Sequence, residues 1–136
     1  MRLHTRGCGA WFGTLSGMNM ELVKSFRFEA AHWLPTFPEG HKCRRMHGHS
    51  FKVDVCVAGT VDAEQGVLLD YGDISRAWAP LDEALDHRLL NEIDGLENPT
   101  SELLADWIWQ RLKPVLPQLH RITVHETCTS TCTYHG

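Results

Sequence analysis

The stretch Cys43-Arg44-Arg45-Met46-His47-Gly48-His49 puts a thiol, two guanidinium groups and an H-x-H pair side by side. The run that follows it, Phe51-Lys52-Val53-Asp54-Val55-Cys56-Val57, alternates apolar and polar residues as a strand does. Successive strand side chains point to opposite faces, so His47 and His49 share the core-facing side with Phe51, Val53, Val55 and Val57. Neutral imidazole is a common zinc ligand, and an H-x-H strand projects two of them together. A second alternating stretch ends in His32, with Phe26, Phe28 and Ala30 on its face and Arg27 and Glu29 on the other. If the two stretches pair as antiparallel neighbours, His32, His47 and His49 converge and hold Zn2+. Three protein ligands leave a fourth position open to water or substrate, which is the catalytic arrangement. With Cys43 as a fourth ligand the same residues would instead make a closed, structural zinc module without enzymatic activity.

Two further features could serve a reaction. Asp86-His87 places a carboxylate beside an imidazole at the end of a helical pattern. Neighbours on a helix diverge by about 100°, so the pair can act together only with helix-end geometry. With Cys43 they make the parts of a thiolate proton-transfer system. Glu126 falls in register with Ile122 and Val124 on the core face of a last strand. A carboxylate there is costly without a partner, so Glu126 is expected to meet a ligand.

The elements that must position these groups follow from pattern and punctuation. A strand from about Leu22 to His32 leads into a long loop with Pro35, Pro38 and Gly40, which delivers Cys43. A second strand runs from about His47 to Gly59, a turn through Asp62 to Gly66 follows, and a short third strand covers Val67 to Tyr71. Asp73 is the expected N-cap of a helix with Ile74, Ala77, Trp78, Leu81, Leu85 and Leu89 on one face, kinked or divided at Pro80. Thr100 is the expected cap of a second helix with the stripe Leu104, Trp107, Ile108, Leu112 and Val115. A strand from about His120 to Thr127 closes the pattern.

The chain has 136 residues and a net charge of −4, enough apolar material for one core and no room for a second domain. Its acidic balance argues against nucleic-acid partners and anionic membranes, and no apolar run has the length of a membrane span. Residues 1 to 19 carry Arg2, Arg6 and several glycines but no acidic residue, and are expected to form a poorly ordered leader, with Met18 or Met20 a candidate start. Residues 20 to 136 then form a single domain. An odd number of cysteines, Cys8, Cys43, Cys56, Cys128 and Cys132, fits free thiols in a reducing cytoplasm better than a disulfide framework.

Taken in order, Phe28-Glu29-Ala30-Ala31-His32, Cys43 with His47-Gly48-His49, Leu85-Asp86-His87, Glu97-Asn98-Pro99-Thr100-Ser101-Glu102 and Glu126-Thr127 resemble the 6-pyruvoyl-tetrahydropterin synthase family. The resemblance runs from about Glu21 to the C-terminus. It implies the α+β tunnelling fold, a four-stranded antiparallel sheet with two helices packed on one face, assembled into trimeric barrels that stack as a homo-hexamer. It also implies zinc on His32, His47 and His49, a catalytic thiol at Cys43 completed by Asp86 and His87 across a subunit boundary, and a pterin anchored by Glu126. The three residues between Cys43 and His47 point to the carboxy-forming branch. That branch converts 7,8-dihydroneopterin triphosphate and water to 6-carboxy-5,6,7,8-tetrahydropterin, acetaldehyde and triphosphate, in queuosine biosynthesis; the pyruvoyl-forming reaction is the alternative. Charge and position make Lys42, Arg44 and Arg45 candidate triphosphate contacts.

Overall fold

Alternation and helical periodicity partition the chain into a sheet layer and a helix layer, and the computed structural model, which describes residues 18–61 and 63–136, has that α+β architecture. Strands β1 (Asn19–His32) and β2 (His47–Thr60) form a long antiparallel pair. Helix α1 (Tyr71–Leu85) follows, then a two-residue strand β3 (Arg88–Leu89), helix α2 (Ser101–Leu112), β4 (Leu119–Thr127) and β5 (Ser130–Tyr134). The sheet order is β3-β1-β2-β4-β5, antiparallel throughout except for the parallel β1–β3 pairing. Residues 1–17, which hold Cys8 and most of the expected leader, lie outside the described residues, as does Asp62.

The sheet therefore has five strands, not four, and two of them differ from those expected. Val67 to Tyr71 is not a strand: residues 67–70 are irregular and Tyr71 already opens α1. Leu68 instead lies over β2, where a side chain on Gly59 would come within 2.8 Å of its Cδ1. The additional β5 follows a tight turn after β4 and pairs back with it, Cys132 and Tyr134 packing against the core while the Thr123 and Thr133 hydroxyls meet at 3.0 Å on the other face.

Both helices cover one face of the sheet. Ile74, Trp78, Leu81 and Leu85 of α1, with Leu104, Ala105, Trp107, Ile108 and Leu112 of α2, bury against Phe28, Phe51, Val53, Val55, Val57, Ile122 and Val124. Burying each large side chain of this set contributes about 2 kcal/mol. Trp78 stacks on Phe26 at 4.8 Å between ring centres. The N-cap of α1 is Asp70, whose Oδ1 accepts the Gly72 amide at 2.9 Å; Asp73 lies in the first turn and pairs with Arg76. Pro80 does not divide the helix. It sits on the exposed side, and the carbonyl it would clash with, that of exposed Arg76, can tilt toward water. Leu89 has left the helix for β3, and Val115, beyond the end of α2, is exposed. Thr100 does cap α2, its Oγ1 accepting the Leu103 amide at 3.1 Å.

Candidate metal centre and its surroundings

The register of β1 on β2 sets His32 opposite His47, and Ala30 opposite His49, at the end of the sheet where the long loop joins the two strands. Shared parity brings the three rings together on the helix-covered face: their centres lie 4.6 Å (His32 and His47), 4.8 Å (His47 and His49) and 5.1 Å (His32 and His49) apart. One ligand nitrogen from each lies within 4.8 Å of the others, and among the described residues this is the group that could hold a metal ion. Cys43 is not part of it.

The protonation of the rings follows from their partners. A carbonyl oxygen only accepts, so His32 Nδ1, 2.9 Å from the Pro99 oxygen, carries its proton, and so does His47 Nδ1, 2.6 Å from the Arg45 oxygen. Burial drives the His32 pKa below its ordinary 6.5, which favours the neutral ring with Nε2 as its acceptor nitrogen. That nitrogen faces His47 Nε2 at 3.0 Å. With both Nδ1 atoms turned to carbonyls, the two Nε2 atoms can meet at this distance by sharing a proton or a metal ion. Tetrahedral zinc holds its nitrogen ligands about 3.3 Å apart, a spacing close to the one observed. His49 adds a third sign: its Nε2 is buried without a hydrogen-bond partner, and burial lowers its pKa as well. Glu126 Oε1 is 3.6 Å from that nitrogen, too long for a hydrogen bond. The donor set and its tautomers thus fit a divalent ion.

Glu126 does share the core face of β4, and it is half-buried rather than sealed. Its Oε2 accepts the Ser101 hydroxyl at 2.9 Å, which leaves Oε1 toward the histidines. Pairing of β2 with β4 begins only at Lys52 and His125, so beyond this point the strands diverge. They leave a cleft of about 610 Å³ with His49, Glu126, Arg27, Lys52 and exposed Cys128 in its wall.

Asp86 and His87 have the helix-end geometry that neighbouring residues need. Asp86 is the C-cap of α1, and His87 follows in the left-handed region at φ 58°. His87 Nδ1 donates to Asp86 Oδ2 at 2.8 Å, while Asp86 Oδ1 accepts the Glu29 amide at 2.9 Å. The Glu29 amide first, and then His87, holds the Asp86 carboxyl below its ordinary pKa. His87 and His49 both line a second cavity of about 540 Å³ at the edge of the sheet where β3 joins β1.

Cys43 sits half-buried in a short turn, Lys42–Arg44, inside the long loop. Its amide donates to His41 Nδ1 at 3.1 Å and its carbonyl accepts the Leu34 amide at 2.9 Å. Among the described residues no hydrogen bond joins it to Asp86 or His87. Arg44 is committed elsewhere than to an anion: its Nη1 donates to the carbonyls of Pro35 at 2.6 Å and Phe37 at 2.8 Å, tying the loop to itself. Ser101, Pro99 and Asn91 also shape the site, and spacing did not single them out. The first two lie inside the Glu97–Glu102 segment, whose position in the sequence was the available signal.

The 6-pyruvoyl tetrahydropterin synthase family model matches residues 21–136. The chain belongs to this family. It is 46% identical over 119 residues to the 6-carboxy-5,6,7,8-tetrahydropterin synthase of Synechocystis sp., covering 83% of this chain and 91% of that protein. It is 30% identical over 125 residues to the Bacillus subtilis protein of the same name, covering 85% of each. The structure superposes on 6-pyruvoyl tetrahydropterin synthase of Caenorhabditis elegans with a TM-score of 0.81 at 25% identity, over 88% of this chain and 96% of that one. The chain thus shares its overall fold with a solved member of the family.

Proposed function

We propose that this protein is a zinc-dependent 6-carboxy-5,6,7,8-tetrahydropterin synthase, taking 7,8-dihydroneopterin triphosphate and water to the carboxy-pterin, acetaldehyde and triphosphate. The observation that carries the reading is the set of imidazole nitrogens, two in a fixed tautomer and one without a partner, beside a carboxylate with a free oxygen. Relatives that carry this enzyme's name support the choice of branch, and a place in queuosine biosynthesis is what the family resemblance implies for that branch.

His32, His47 and His49 would hold zinc, which when bound supplies a Lewis acid for the oxygens of the substrate's side chain. Glu126 binds the aminopyrimidine edge through paired N–H···O bonds, with Ser101 fixing the carboxylate's rotation. Cys43, as thiolate, removes a carbon-bound proton; the pinned backbone on both sides of it limits where the sulfur can reach. Asp86 keeps the proton of His87 on Nδ1, so that Nε2 can take up and return a second proton. Arg27 lines the cleft, and Lys52 beside it is held by Asp54 at 3.9 Å; with Arg44 tied to its own loop, Arg27, Lys42 and Arg45 are the candidates for the triphosphate.

The test is to incubate purified, zinc-loaded protein with dihydroneopterin triphosphate, with and without a chelator, and to identify the products. Acetaldehyde and carboxy-pterin are expected only without chelator. A pyruvoyl-pterin with no acetaldehyde would assign the other branch, and no turnover would end the enzyme reading. Cys43→Ala should retain its zinc and lose at least 10³-fold in kcat. Loss of metal and fold in that variant would favour a structural centre that includes Cys43.

A further inference from the structure

We propose that Asn91 is a positioning residue for the three-histidine centre, the point at which both constraints on His32 are fastened. This inference rests on the reading of His32, His47 and His49 as metal ligands. Asn91 lies in a short turn, Leu90–Glu92, 58 residues from Trp33, the residue that follows β1. Its Oδ1 accepts the Trp33 amide at 3.0 Å and its Nδ2 donates to the Trp33 carbonyl at 2.7 Å. The carboxamide thus behaves as one more peptide group of a neighbouring strand, closing both backbone groups of the residue that follows His32. The edge of β1 is already stitched up to this point. The Glu29 amide and carbonyl meet Asp86 Oδ1 and the His87 amide, and Ala30 and Ala31 pair with Arg88 and Leu89. Asn91 ends the stitch at the metal side.

The same Nδ2 reaches the Glu97 carbonyl at 3.4 Å, in the loop that carries Pro99 to His32 Nδ1. The backbone of His32, through Trp33, and its ring, through Pro99, are therefore referred to one side chain. His32 is fully buried, so its ring has no water to fall back on if that frame loosens. Leu90 and Leu96 anchor the same loop in the core, so that Asn91 adds to a segment already held by apolar packing. Groups that orient a metal-bound histidine typically alter metal affinity 10- to 100-fold when removed.

The test measures zinc affinity by chelator competition on metal-free protein. Three variants are compared: Asn91→Ala, Asn91→Asp, which keeps the acceptor but sets a carboxylate oxygen against two carbonyls, and Leu81→Ala, a core change in α1 remote from the histidines. Both Asn91 variants should bind zinc at least about tenfold more weakly than wild type, and their cobalt-substituted forms should show altered ligand-field absorption. Leu81→Ala should lower the melting temperature and leave zinc affinity within about twofold of wild type. Asn91 variants with wild-type affinity, or with no more loss than Leu81→Ala, would overturn the proposal. His32→Ala separates this failure from that of the underlying reading. If it loses zinc while the Asn91 variants keep it, only the role of Asn91 falls; if it too binds normally, both fall.

Discussion

Cys43 and Cys56 are one chemical group in two settings, and the contrast shows how side-chain surroundings divide labour on this sheet. Cys43 rides on a loop, half-buried, with its backbone pinned and its sulfur outside the histidine group. Cys56 lies on β2, fully buried, with its thiol toward Glu21 Oε1 at 3.5 Å. Burial first, and then the Glu21 carboxylate, pushes the Cys56 thiol up to about 11, against a pull from Arg121 in the other direction. A raised thiol pKa means that the reactive thiolate is scarce below that value and appears only as pH rises through it. At pH 8 the fraction of Cys56 ionised is about 10⁻³. Alkylation with iodoacetamide at pH 8, read peptide by peptide by mass spectrometry, should therefore label exposed Cys128 quickly and leave Cys56 unmodified in the folded protein. Equal labelling of the two would mean that Cys56 is neither sealed nor suppressed. Parity along the strand was enough to set Cys56 on the side away from the histidines, and enough to gather the histidines themselves. What parity cannot reveal is the set of groups that fixes their tautomers. Pro99 and Arg45 act through backbone carbonyls, which every residue has, so no residue type marks them.

Elements explain why the rest of the site was only partly legible. The pairing of β1 with β2 could be inferred because both alternate over many residues, one ending and the other beginning in a histidine, so a single register satisfies the core and the site together. The run from Val67 to Tyr71 carries no such constraint. Short apolar runs do not distinguish strand from loop, and here Leu68 and Leu69 pack against the core without a ladder. That misreading also displaced the expected cap of α1 from Asp70 to Asp73. β5 was missed because Ser130-Thr131-Cys132-Thr133-Tyr134 is mostly polar, as suits an edge strand, although its alternation of Thr with Cys132 and Tyr134 was there to be read. For α2 the cap was legible and has functional weight, since the turn it secures carries Ser101 to Glu126. Thr100→Ala should cost about 1 kcal/mol and lower the melting temperature by about 3 °C. It should also raise KM for the pterin, because the Glu126 carboxylate loses its fixed rotation. Thr100→Ser, which keeps the capping oxygen, should restore both. A melting temperature unchanged in Thr100→Ala would show that the cap contributes nothing beyond the packing of α2.

At the scale of the whole molecule, the described chain holds the histidines, Glu126 and the Asp86–His87 pair within one frame, yet leaves Cys43 on its own loop. Among the described residues no helix covers the sheet's second face, and it carries polar networks such as Asp54 with Ser25 and His125. A site assembled from two subunits would reconcile these facts: in the trimeric barrel that the family resemblance implies, Cys43 of one copy would meet Asp86 and His87 of the next. Closed cyclic assembly makes every such boundary equivalent, so the idea has a quantitative consequence. Cys43→Ala and His87→Ala, each inactive alone, should recover activity when unfolded together and refolded as an equimolar mixture. If each site takes its thiol from one subunit and its imidazole from another, random assembly restores both groups in about a quarter of the sites, and activity should return to about that fraction of wild type. If both groups belong to the same subunit, every site in the mixture lacks one of them and the mixture stays as inactive as its components. Size-exclusion chromatography of each variant, showing the same assembly as wild type, ensures that the comparison concerns the placement of the groups and not the loss of the oligomer.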